Sequence, residues 1–504
     1  MKDTSRATTR DIFVLARGAG MVFAGTLFGL SLKYLFQLIV ARHLGAALFG
    51  AFFLGMSVFT ILERVSCVSL HHGMMRFVSL LSGRRDSEGV KGTILFGLRA
   101  GSVSALVLLV VTVLLSRTLA LDVFHDRNLI WVLRMMAVGG AFSGLTEILI
   151  MATQGVQVME GKVTVRYVLE PVLRILLVLA AFGIGWRLFG AALSVAVASV
   201  CGTAAAYAFV RKVIPAFREK TIRPRFVSRE ILSFCWPLFF VSLLNLAMLH
   251  LSTLLLGYFR PSDEVGIYGA AFRTALLMSI ILDSFNAIFP PIIADMVGKE
   301  EFRKVEQLFK IVTKWIVTLA IPVFVILALF PGMILDIWGK EFVPGALSLV
   351  LIGCAQLINC AVGSSGYMLM MTGHTKTILA NGLALITLIL GLGWVLIPRH
   401  GFLGAALSYS AAVAGVNILR LVEVWVILKM HPYRRDFVKP VAAGAAAAAL
   451  GWFLKERLVI DPQWAALGVC ALLVGVVYLA ILVALRIPAE DRALLQRLLQ
   501  KLHS

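Results

Sequence analysis

Acidic side chains are scarce in this chain. Asp and Glu number 27 in 504 residues, against 47 Lys and Arg, and charged residues of both signs make up only 15%. Cysteine is sparse as well. Cys67, Cys201, Cys235, Cys354, Cys360 and Cys470 sit in or beside apolar stretches and none forms a CxxC pair, which excludes a disulfide framework or a thiolate metal site and leaves small buried apolar residues. Catalytic signatures are missing too. There is no HExxH, no GxSxG and no zinc spacing. Gly155 and Gly161-Lys162 miss the phosphate-loop spacing by one residue, and Val163 stands where Ser or Thr would hold magnesium. A nucleotide-driven pump, a membrane protease or another enzyme is therefore not expected, and no cofactor is implied.

Hydrophobic side chains fill what is left. They are 60% of the chain, with a mean hydropathy of +0.92, whereas a soluble domain sits near 45–50% apolar. Lipid is the solvent that suits this composition. The net charge of +20 would suggest nucleic acid in a soluble protein. Here it lies in short polar breaks, so it reports membrane orientation and no nucleic-acid partner is expected. Apolar runs recur at about 18–40, 48–72, 94–116, 129–152, 166–185, 188–210, 231–258, 266–290, 311–331, 345–371, 377–397, 402–428, 438–454 and 463–485. Each is near the ~20 residues of a bilayer crossing. The first follows Lys2, Arg6, Arg10 and Arg17 and has no A-x-A-like end, so it reads as a membrane helix and not as a leader. With the amino terminus inside, the inner segments carry roughly 31 Lys and Arg and the outer ones about 9. That asymmetry predicts an inner-membrane, multi-pass chain with both termini cytoplasmic. No loop has the ~50 residues a folded soluble domain needs.

Gly190-Ala-Ala-Leu-Ser194 recurs as Gly404-Ala-Ala-Leu-Ser408, and Leu48 to Phe52 resembles Ile267 to Ala271. The similar offsets point to a duplicated half. The expected fold is all-α: about fourteen transmembrane helices in two six-helix bundles related by a pseudo-two-fold along the membrane normal, with two further helices. The expected divisions are an N-terminal lobe at 1–212, a basic cytoplasmic linker at 213–230, a C-terminal lobe at 231–430, and a helix pair with a cytoplasmic tail at 431–504. The substrate site is expected between the halves.

Seven basic residues fall inside the expected spans: Lys33, Arg64, Arg99, Arg134, Arg174, Arg273 and Arg420. Lipid exposure at ~3 kcal/mol each would cost roughly 20 kcal/mol, more than the ~5–15 kcal/mol net stability of a folded protein. Most must meet water, a partner or headgroups. Arg99, Arg174 and Arg134 lie near expected helix ends and read as snorkelling; Arg420 and Glu423 read as a local pair. Gly25, Gly29, Lys33 and Gln37 form one helical stripe, and Ser57, Thr60, Arg64, Cys67 and His71 another. Ser242, Asn245 and Ser252 share a face, as do Ser279, Asp283 and Asn286 with Arg273 on a neighbouring one. These stripes make Lys33, Gln37, Arg64, Asn245 and Arg273 candidates for a cationic substrate cavity. The repeat offset places Arg64 and Asp283 at matching positions, a possible facing pair. Asp283, Glu63 and His250 are the candidates for ion coupling; Glu63 points about 100° away from Arg64, and His71, His72 and His250 read first as packing residues. Nothing in the residues chooses between Na+ and H+.

Three stretches carry a resemblance. Gln37-Leu-Ile-Val-Ala-Arg42-His-Leu-Gly45 with Phe49-Gly50 and Gly73 to Arg76, then Phe289-Pro290-Pro291 with Asp295, then Gly373-His374 through Asn381, Ile397-Pro398, Gly401 to Ala406 and Lys439-Pro440, resemble bacterial polysaccharide flippases. These are the Wzx-type O-antigen and exopolysaccharide exporters of the multidrug, oligosaccharidyl-lipid and polysaccharide exporter superfamily. The resemblance implies alternating access, cargo in the form of an undecaprenyl-diphosphate-linked oligosaccharide, contact with membrane lipids and with polymerase or export proteins, and a substrate role for Arg76 at the end of the second helix. A diphosphate needs cationic partners, and Arg offers a bidentate fork. A peptidoglycan-precursor flippase shares that chemistry. Ion-coupled multidrug efflux would call for carboxylates in the cavity instead.

Overall fold

The computed structural model describes residues 2–457 and 463–485, with side chains described over 25–454 and 466–485; the expected cytoplasmic tail after 485 lies outside the described residues. Every regular element described is helical, as lipid demands: a helix satisfies its backbone polar groups within one segment. Contacts gather the chain into two units, Met1–Gly269 and Ala270–Ser504.

The first unit opens with α1 (Lys2–Ser66), which is two helices joined at Gly45. Gly45 adopts φ 74°, where only glycine is comfortable. The chain folds back there: the rings of Phe36 and Phe52 lie 6.0 Å apart, although sixteen residues of straight helix would span about 24 Å. A second break separates α1 from α2 (Leu70–Gly83). Val68 and Ser69 both have positive φ, so the single crossing expected over 48–72 is interrupted. Then come α3 (Ser87–Thr118), running into a π turn at Leu119–Val123, and α4 (Leu129–Gly155). A π-helix at Lys162–Leu169 leads into α5 (Glu170–Gly183), followed by α6 (Leu188–Val213), the short α7 (Pro215–Arg218) and α8 (Ser228–Phe259).

At the centre stands α4, buried on nearly every side. Its glycines explain how. Gly140 meets the backbone of the second half of α1 at Phe59, Gly144 meets Ser66, and Gly155 meets Val78 of α2, the small-residue packing that lets membrane helices approach closely. By contrast, α3 turns Val103, Leu106, Val107, Val110 and Leu114 outward, a lipid-facing stripe. Trp131, Trp186 and Phe189 cluster edge to face as an interfacial aromatic group does.

The basic linker is clasped to the start of α3. Asp86 caps that helix, its carboxylate accepting from the Gly89 N–H at 2.9 Å, and it also pairs with Arg225. The Arg225 N–H donates to the Glu88 carbonyl at 3.0 Å. Lys91 donates to the carbonyls of Ile222, at 3.0 Å, and of Glu219. The Gly89 N–H, and after it Arg225, hold the Asp86 carboxyl below the usual carboxylate range.

Where the second unit begins, α9 (Ser262–Ala275) runs through the boundary, followed by α10 (Ser279–Asn286) and α11 (Phe289–Gly298). Pro290 and Pro291 stand in the first turn of α11, the one place where proline's missing N–H costs nothing. They restart the helix and do not merely kink it. Next are α12 (Phe302–Leu329), α13 (Pro331–Asp336), α14 (Ala346–Val362), α15 (Ser365–Met371) and α16 (Thr375–Leu428). Like α1, α16 is a folded hairpin, breaking at Gly401 with φ 57°. The two copies of the GAALS repeat do the same work in their own units. Gly190 packs on Ala181 across the α5–α6 connection, and Gly404 packs on the Leu396 backbone across the α16 hairpin. Last, α17 (Val438–Arg457) and α18 (Gln463–Ala484) lean on α12: Gly444 meets Ile321, and the Tyr478 hydroxyl donates to the Thr318 carbonyl at 2.9 Å.

Eleven described stretches are long and apolar enough to cross a membrane. Two of the eleven contain the hairpins at Gly45 and Gly401. Counting those as two crossings each, and adding 162–183, is what fourteen would require.

Candidate functional site

The charges buried inside the first unit converge on one guanidinium. Arg166 lies in the π-helix, where the wider turn alters the face presented by each residue. Its Nη2 pairs with Glu63 from the second half of α1. Its Nη1 donates to Glu170 Oε2 at 2.8 Å and to Ser143 Oγ at 2.7 Å. Its Nε lies 3.7 Å from Glu147 Oε2 of α4. One turn beyond Glu170, Arg174 Nη2 sits 3.6 Å from Glu170 Oε2, its guanidinium 5.3 Å from the Phe59 ring centre. Arg174 therefore does not snorkel. The helix begins at Lys162 and not near 166, so Arg174 is carried three turns inward and buried.

Lys33 reaches this cluster from the side. The first-helix stripe faces the π-helix: Gly25 packs on Val163, Gly29 on the backbone of Tyr167, and the Lys33 ammonium lies 5.7 Å from the centre of the Tyr167 ring. The two glycines are thus a packing face. Gln37 is buried, its Oε1 without a hydrogen-bond partner among the described residues. Arg64 is half-buried and close enough to His71 and His72 to act on both electrostatically. Among the described residues, neither Lys33 nor Arg64 has a carboxylate within ion-pair distance, whereas Arg166 and Arg174 both do.

The other expected residues are dispersed. Arg76 is exposed on α2, 4.3 Å over the ring of Phe234. Asn245 is exposed on α8, while Ser242 of the same helix contacts Ser69 at 3.2 Å. His250 is buried. Arg99 is exposed over Phe226, as a snorkelling residue would be, and Arg134 donates to Ser116 at 3.1 Å. In the second unit Arg273 is half-buried, and Asp283 is exposed on α10, bonded to Ser279 of the preceding turn. Glu423 accepts from Asn381 at 2.6 Å and remains close enough to Arg420 to act on it electrostatically. Ser364 donates to Asn286 at 2.6 Å, and Gln356 donates to Tyr409 at 3.2 Å. No group of three His, Cys, Asp or Glu among the described residues has the geometry of a metal site.

Sequence reasoning missed Glu147, Arg166 and Glu170. A signal was present: Arg166, Glu170 and Arg174 recur every four residues, and Glu147 is a lone acid in an otherwise apolar run.

A family model described as polysaccharide biosynthesis protein matches residues 15–297, and a second, described as MatE, matches 237–395. Among solved structures the fold is similar to the lipid II flippase MurJ in an inward closed conformation, at 14% identity over 91% of this chain and 97% of that one, with a TM-score of 0.71. It is also similar to an inward-facing multidrug resistance MATE family transporter of the MOP superfamily, at 15% identity over 79% and 94%, TM-score 0.69. A MOP superfamily transporter from Pyrococcus furiosus, described as having a binding pocket of reverse polarity, aligns at 16% identity over 82% and 95%, TM-score 0.58. No curated protein matches by sequence.

Proposed function

Because this chain belongs to the polysaccharide biosynthesis protein family, we propose that it is a flippase carrying an undecaprenyl-diphosphate-linked oligosaccharide from the cytoplasmic to the outer face of the inner membrane by alternating access. The observation that carries the reading is the division of labour among buried cations. Among the described residues, Arg166 and Arg174 lie within ion-pair distance of carboxylates, Lys33 stands beside the same cluster without touching a carboxylate, and Arg64 has no carboxylate at that distance. An intramembrane cation without a counter-ion is costly. An anionic cargo supplies what is missing, and a diphosphate offers oxygens that either cation could engage. Arg76 in the first unit and Arg273 in the second are further candidate cations, Gln37 and Asn245 offer amides to sugar hydroxyls, and Asp283 and His250 stand as coupling candidates for Na+ or H+, whereas Glu63 is held by Arg166. Both termini and the linker at 213–230 belong on the cytoplasmic side.

The lipid II flippase among the structural neighbours supports a second reading, since its cargo has the same diphosphate chemistry. Multidrug efflux is less well supported: Glu63, Glu147 and Glu170 are each engaged by Arg166, so the first unit offers an organic cation no open carboxylate from that set. The test is reconstitution into proteoliposomes with a fluorescent undecaprenyl-diphosphate oligosaccharide. Translocation that falls at least tenfold in Arg64→Ala, without loss of inserted protein, supports the reading. Unchanged translocation in both Arg64→Ala and Lys33→Ala refutes it.

A further inference from the structure

Three carboxylates reach one point from three helices. Glu63, Glu147 and Glu170 have side chains only 6%, 8% and 2% exposed, and each lies within ion-pair distance of the same guanidinium. All three nitrogens of Arg166 are engaged, two by carboxylates and hydroxyl at hydrogen-bond distance and the third facing Glu147 at 3.7 Å. We infer that Glu63, Glu147 and Glu170 form a cation-binding cage whose permanent ligand is the chain's own Arg166 guanidinium, a tethered ion standing where a free monovalent cation would otherwise be bound.

Charge balance supports this. Without Arg166, three carboxylates would face only Arg174, which touches Glu170 alone, and Lys33, which has no carboxylate at ion-pair distance. Buried carboxylates left unpaired are strongly unfavourable, so the emptied cage must recruit a positive charge or take up protons. The π-helix matters here because it turns Arg166 inward beside Glu170, four residues on, and gives both the same target. Ser143 adds a neutral oxygen, so the cage already contains the oxygen-rich donor set that small monovalent cations and guanidinium ions share. The cage does not depend on the cargo. It makes the wild-type first unit indifferent to the identity of the cation in the surrounding salt.

The test uses the full chain purified in detergent. Thermal unfolding midpoints are measured in choline chloride, sodium chloride, potassium chloride and low concentrations of methylguanidinium chloride, all at matched ionic strength. Wild type in each salt is the reference, so that cation dependence arising elsewhere in the chain is subtracted. Arg166→Ala should unfold several degrees lower in choline and recover saturably with sodium, potassium or methylguanidinium, as a ligand binding only the folded state requires. Arg166→Ala/Glu147→Gln should lose that recovery. An Arg166→Ala protein equally unstable in all four salts relative to wild type overturns the inference, as does an Arg166→Ala/Glu147→Gln protein that recovers as fully as Arg166→Ala. If Arg166→Ala does not accumulate, Arg166→Ala/Glu63→Gln/Glu147→Gln is measured instead. Restored accumulation without cation dependence supports the cage, and failure to accumulate overturns it.

Discussion

At the scale of single residues, what decides a charge's role in this protein is whether another side chain answers it. Arg64 and Arg166 are both arginines inside the first unit, yet only Arg166 meets carboxylates. Arg64 is therefore expected to act on cargo and Arg166 on the protein itself. Removing a charge-assisted bond typically costs ~1.5–3 kcal/mol, so Arg64→Ala should slow translocation roughly 10- to 100-fold. Arg64→Lys should recover part of the loss, because it keeps the charge and gives up the bidentate fork. Initial rates in proteoliposomes separate these outcomes; equal rates for wild type and Arg64→Ala would remove the residue from the site. Asp86 works differently. It accepts from the Gly89 N–H and pairs with Arg225, and losing a helix cap of this kind costs ~0.5–2 kcal/mol. Its folded carboxyl titrates below the ordinary range. The stability it contributes is thus present above about pH 4 and is lost as pH falls through the lower folded value. The midpoints of wild type and Asp86→Ala should converge on acidification; a gap that widens in acid would contradict the assignment.

At the scale of elements, breaks carry more information than the helices do. Each long apolar run turns where the backbone can, at Gly45 and Gly401, both with positive φ. Gly401→Ala should destabilise by ~1–2 kcal/mol, because a Cβ is strained in that conformation; thermal unfolding in detergent would register it, and Gly391→Ala, with open space around it, is the control expected to change little. The four-residue spacing of Arg166, Glu170 and Arg174 is visible in the chain, but its direction is not. A straight α-helix starting near 166 leaves Arg174 close to the membrane surface. The π-helix from Lys162 to Leu169 carries it inward, and no residue type in that stretch announces a π turn. The same holds for the interruption at Val68 and Ser69, neither of which is a helix breaker of the proline or glycine kind.

At the scale of the whole molecule, the central prediction concerns cargo. If the diphosphate is what Lys33 and Arg64 recognise, then undecaprenyl-diphosphate oligosaccharides and lipid II analogues should both compete with a fluorescent substrate, and an undecaprenyl-monophosphate sugar should compete less well. Glycan length should then separate the polysaccharide reading from the peptidoglycan one. Competition by organic cations with no effect of diphosphates would favour efflux instead.

Membrane solvent and helical class were legible in the chain, because hydropathy and loop charge are local quantities that accumulate along a sequence, whereas Gly45 and Gly401 gave no sign there of the hairpins they make. Lys33 and Arg64 were legible too, since a charge in an apolar run is conspicuous wherever it ends up. Only the tertiary structure decided which charges cancel. Glu63 is 103 residues from Arg166, and their meeting with Glu147 depends on how three helices pack and on one stretch of π-helix. Pairing is a property of distance in space, and at these low dielectric depths a few ångströms separate a neutralised side chain from one left without a carboxylate at ion-pair distance.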